Sequence, residues 1–74
     1  MKEIYYYEWS DDRIDWKFGG VFFNILPCVD KARQCSYAVR FKKTTADFSN
    51  TEEVSLNLVK TAKDQIQLLE KLFQ

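Results

Sequence analysis

The 74-residue sequence contains no histidine. That absence removes Ser–His and Cys–His nucleophile pairs, imidazole zinc ligands and the side chain best suited to proton transfer near neutral pH. Net charge is absent too, with eleven Lys and Arg against eleven Asp and Glu. A wholly acidic DNA mimic is therefore excluded, and a generally basic nucleic-acid binder is disfavoured. One proline and two glycines leave no linker or low-complexity segment. No apolar run approaches the roughly 20 residues of a membrane helix. The start, MKEIYYYEW, lacks the apolar core of a secretory signal. These absences predict a cytoplasmic chain in which Cys28 and Cys35 are reduced thiols; a disulfide across a loop is the alternative. Two cysteines without histidine make a poor zinc set, so neither metal nor cofactor is expected.

What is present is aromatic and apolar surface. Twelve of the 74 residues are Phe, Tyr or Trp, and each ring can bury about 150–250 Å². That is enough for a single compact domain over residues 1–74 without staples, although a chain this short is marginally stable. Charge is distributed unevenly. Residues 1–15 hold Glu3, Glu8, Asp11, Asp12 and Asp15 against Lys2 and Arg13, whereas residues 31–43 hold Lys31, Arg33, Arg40, Lys42 and Lys43 with no acid.

Hydrophobic periodicity gives the elements. Residues 13–18 alternate, with Ile14, Trp16 and Phe18 on one face, and residues 21–26 follow Gly19-Gly20. Gly-Gly between two strand-like runs predicts a two-residue hairpin, with Trp16 opposite Phe23 and the second strand ended by Pro27. The stretch after Pro27 is a polar connection with room for a helical turn. Residues 35–43 alternate again, with Cys35, Tyr37, Val39 and Phe41 against Ser36, Ala38, Arg40 and Lys42. Residues 2–9 form a strand by aromatic content. A turn at Asp11-Asp12 puts Tyr5, Tyr7 and Trp9 in the core, and a turn at Ser10-Asp11-Asp12 reverses that. Residues 51–73 carry a helical stripe of Val54, Leu58, Ala62, Ile66, Leu69, Leu72 and Phe73, capped by Asn50 or Ser49, with Leu56 pointing away. The alternation of Val54, Leu56 and Leu58 leaves a short extended start open. The expected fold is α+β: a four-stranded antiparallel meander with one long C-terminal helix packed on one face. At about 33 Å the helix should overhang strands of about 26 Å.

Function is read from the sheet face away from that helix. The expected register aligns Tyr6, Lys17, Phe22 and Arg40 in a row, with Leu26 and Lys42 beside it. Alternating rings and cations of this kind suit a protein interface, where aromatics and Arg supply most binding energy. The expectation is a non-catalytic module, phage or bacterial in type, that docks on a larger protein and inhibits or modulates it, as immunity, antitoxin and phage anti-defence proteins do. A single-stranded nucleic-acid binder that stacks bases on the same rings is the alternative. A homodimer through the helix overhang is a third reading. Catalysis by Glu8 and Asp15 lacks any second supporting feature, and a single-layer sheet of this size leaves little room for a substrate cleft.

Overall fold

A computed structural model describes residues 2–73. The fold is α+β, with four antiparallel strands and two helices among the described residues. The elements are β1 (Glu3–Ser10), β2 (Lys17–Phe22), α1 (Ile25–Ala32), β3 (Ala38–Thr45), β4 (Glu52–Glu53) and α2 (Leu56–Leu72). The expected class, the four-stranded antiparallel sheet and the long C-terminal helix are all present. The path through the sheet differs from consecutive strand order, because β1 lies between β2 and β3 in the order β2-β1-β3-β4.

The Gly-Gly hairpin does not form. Gly19 and Gly20 lie inside β2, where the β1–β2 register shifts between Tyr7 and Glu8. The physical reason is the Tyr7 ring. A Cβ on Gly19 would fall within that ring, and Gly20 holds φ at 156°, which side-chain-bearing residues rarely adopt. The two glycines are a landing site for an aromatic ring, a use for which glycine in a strand is suited. Trp16 consequently never meets Phe23. Ile14 and Phe23, expected in the core, are 79% and 73% exposed.

Residues 11–15 form a wide loop instead of a strand. Asp12 Oδ1 accepts from Ser10 Oγ and from the amides of Ile14 and Asp15, at 2.8–3.0 Å. These bonds hold the Asp12 carboxyl below its ordinary range, the Asp15 amide contributing most. Local side-chain bonding of this kind competes with strand pairing.

The run expected to be a strand at 21–26 turns into α1 at Ile25. Asn24 Oδ1 accepts from the Leu26 amide at 3.1 Å and caps the helix. Pro27 sits in the first turn, where its missing N–H has no helical partner to lose. Ile25, Cys28, Val29 and Ala32 recur at helical spacing and face inward; Cys28 and Val29 are fully buried. Likewise, residues 51–55 are extended. Glu52 and Glu53 pair with Lys43 and Lys42 across β3–β4, and α2 starts after Ser55, whose Oγ accepts from the Leu58 amide at 3.3 Å. The cap is thus Ser55, and cross-strand charge pairing outweighs the helix N-terminus for the two glutamates.

Alternation along β1 puts Tyr5, Tyr7 and Trp9 on the helix side, level with Lys43, Phe41 and Val39 of β3. Two adjoining clusters fill the interior. Val29, Val54, Val59, Ala62 and Ile66 form one; Tyr7, Cys28 and Ala32 form the other, backed by Trp9, Phe22 and Val39. At 17 residues α2 spans about 26 Å and matches the strands. The expected overhang therefore reduces to an exposed flank bearing Leu68, Leu72 and Phe73.

Both cysteines are free. Cys28, expected near a loop, is fully enclosed, and burial pushes its thiol up to about 12; Cys35 is partly accessible. One thiol per chain should therefore react quickly with a maleimide in native protein and two in denaturant. Two fast thiols in native protein would mean that α1 is not packed as described.

Candidate functional site

The sheet face opposite the helices carries Tyr6 and Glu8 from β1, Phe18 and Val21 from β2, and Arg40 and Lys42 from β3. Two cross-strand rows result: Val21, Tyr6, Lys42 and Glu53, and Phe18, Glu8 and Arg40. Tyr6 is the centre of an aromatic platform. Phe18 stacks on it at 5.6 Å between centroids, and Phe48 meets it at 5.7 Å with a tilt of 56°. Phe18, Val21 and Phe48 are 58%, 44% and 48% exposed.

Phe48 reaches this face from the β3–β4 loop because its backbone is left-handed, φ 61°. For a bulky residue that conformation is strained. A local clasp holds it: Asp47 accepts from the Thr45 and Ser49 hydroxyls at 2.6 and 2.7 Å and from the Ser49 amide at 3.1 Å. The same bonds, the Thr45 hydroxyl first, lower the Asp47 carboxyl to about 2. At the far end, the Arg40 guanidinium lies 4.3 Å from the centre of the Trp16 ring and donates from Nε to Glu8 at 2.9 Å. Lys42 stands opposite Glu53. The basic members of this face thus each have an acidic neighbour.

Of the six expected contact residues, Tyr6, Arg40 and Lys42 lie together on this face. Phe22 does not. It is level with Tyr5 on the helix side, stacked on Tyr7 at 6.4 Å. Leu26 is in α1 against the core cluster of Val29 and Ile66. Lys17 is level with Trp9, its Nζ 4.9 Å from the Trp9 ring centre. The shifted register and the conversion of residues 25 and 26 to helix account for all three. The platform's other members, Phe18, Val21 and Phe48, were missed. A lone Phe within the polar loop TTADFSN was the available signal for the last of them.

The helix side has more open space than a single-layer sheet was expected to leave. A groove of about 480 Å³ is lined by Ala32, Cys35, Tyr37, Val39, Lys63 and Gln67, among others. A second, of about 570 Å³, runs between α1 and α2 along Leu26, Pro27, Leu69 and Phe73. No helix among the described residues is long and apolar enough to cross a membrane. Comparison with family models, curated proteins and solved structures returns no match, so the surface itself is the ground for any reading of function.

Proposed function

We propose that this chain is a non-catalytic binding module that docks its open sheet face on a larger protein and blocks or adjusts that protein, as small immunity, antitoxin or anti-defence proteins do. The observation that carries this reading is the platform of Phe18, Tyr6 and Phe48, with Val21 beside it, which gathers two exposed rings and an exposed valine around Tyr6 on one open face. An aromatic centre with a polar rim is the anatomy of a binding hot spot. Phe48 is already held in place by a strained backbone, so little freedom remains to be lost on docking. Base stacking would use the same rings. It is the weaker reading, because Arg40 is bound to Glu8 and Lys42 faces Glu53, which leaves few cations for phosphates.

Phe18→Ala tests the proposal. The substitution should leave stability within about 1 kcal/mol, since surface changes are mild. Affinity for a partner captured from the native host should fall by about 2 kcal/mol or more, with a shallow salt dependence. Oligonucleotide binding that weakens steeply with salt, and is lost in Phe18→Ala, would replace the protein partner with a nucleic acid.

A further inference from the structure

The groove between α2 and β3 follows from where the helix rests. α2 lies chiefly against α1, which leaves the helix side of β3 half-covered and opens about 480 Å³ beside it. That volume is within the range of about 300–1,000 Å³ of small-molecule sites. The floor is apolar, with Val29 and Ala32 from α1 and Val39 and Phe41 from β3. Tyr37 stands at one side, its ring fixed by a stack on Trp9 at 5.2 Å between centroids. The lining includes no carboxylate and two cations, Arg33 and Lys63. The two differ in what they already hold. Arg33 is bound to Glu70 at 2.8 Å and reaches Asp30 at 3.6 Å. Lys63 makes no ion pair among the described residues. Gln67 lies one turn further along the same face of α2 and also lines the groove. One wall therefore offers an uncompensated ammonium and an amide that can donate beside it.

We infer that this groove binds a small aromatic monocarboxylate, its ring on the apolar floor beside Tyr37 and its carboxylate at Lys63 and Gln67. Charge complementarity selects this ligand. One free cation balances one carboxylate. A di- or triphosphate calls for several cations at once, and Arg33 is already committed to two acids. An organic cation would meet Lys63 with no acid in the lining to offset it. A wholly apolar molecule would gain nothing from the Lys63 and Gln67 wall. The planar body is matched by Tyr37 and Phe41, since rings pack well on other rings in offset or edge-on geometry. The groove is on the helix side of the sheet, so the platform around Tyr6 stays free for a protein partner.

The test titrates 2-naphthoate into the isotope-labelled full chain, with 2-naphthamide as its uncharged counterpart. Amide resonances of Val39, Phe41 and Gln67 should move, and the shifts should saturate with a dissociation constant of about 1 mM or tighter. Cys35 also lines the groove, so saturation should slow its reaction with a maleimide at least about fivefold, thiol reactivity being set partly by access. Lys63→Gln, a change at an exposed position, should weaken 2-naphthoate about fivefold, the upper range for one solvent-accessible ion pair, and leave 2-naphthamide unchanged. Phe18→Ala should bind 2-naphthoate as the parent does, which separates this site from the sheet platform. No saturation, equal binding of acid and amide, or undiminished binding by Lys63→Gln would overturn the inference. Shifts confined to Tyr6, Phe18 and Phe48 would overturn it too, by placing the probe on the platform.

Discussion

Gly19→Ala should not fold under conditions in which the parent chain does. The added methyl falls within the Tyr7 ring. That ring is 6% exposed and packs with Cys28 and Ala32, so it cannot move aside without leaving the core. Expelling it costs about as much as deleting it, roughly 3–5 kcal/mol. A domain of this size has only on the order of 5 kcal/mol to lose. Circular dichroism and a thermal melt suffice as measurements. The coupled variant is more informative still. With Tyr7→Leu in the background, the methyl has room, and the further effect of Gly19→Ala should fall below about 1 kcal/mol, a non-additivity expected of side chains in contact. Independent, additive effects would mean that Gly19 does not sit under Tyr7.

Phe22→Ala should lower stability by about 2–3 kcal/mol. The residue is half-buried, so the effect falls somewhat below the 3–5 kcal/mol of a fully enclosed Phe. Two losses combine: the stack on Tyr7 and the packing against the Cys28 cluster. The adjacent Phe23, 73% exposed and touched by the Lys2 ammonium at 4.9 Å, provides the contrast. Phe23→Ala should change stability by less than about 1 kcal/mol. Chemical denaturation of the two variants measures the difference directly. Equal effects would show that β2 is paired one residue out of register, since such a slip exchanges the two faces.

The face of β3 was readable because a strand with one buried side must alternate, and the inward positions of Val39 and Phe41 follow from that rule alone; in β1 the same rule groups Tyr5, Tyr7 and Trp9 on one face, but which face is buried depends on the turn that follows the strand. Leu56 was correctly set apart from the helical stripe, being 86% exposed. What was not readable depends on non-local contacts. Gly19-Gly20 carries the local signature of a turn, and only the approach of a ring from β1 makes it a strand interior. Ile14, Trp16 and Phe18 alternate as a strand would, yet the Asp12 and Ser10 side chains accept from the amides of residues 12–15 locally and leave those donors unavailable for strand pairing. VFFNIL reads as one apolar run, while its Asn is a helix cap. Of the candidate site, Tyr6, Arg40 and Lys42 were legible from β1 and β3. Phe22, Lys17 and Leu26 failed with the register of the neighbouring segment. Glu52 and Glu53 suit a helix start and a lysine-bearing strand equally well; the presence of Lys42 and Lys43 opposite them decides the matter.

The bulge under Tyr7 also bears on solubility. Strand order leaves β2 at the rim of the sheet, with one side of its backbone unpaired by any strand. KFGGVF in that position would invite a second chain to add itself, the usual start of strand-to-strand aggregation. An extra residue in the ladder twists the rim, and Lys17 adds charge at its start. The glycine pair thus makes the exposed rim a poor template for further strands. Deleting Gly19 to straighten the ladder should turn the folded chain toward fibrillar material.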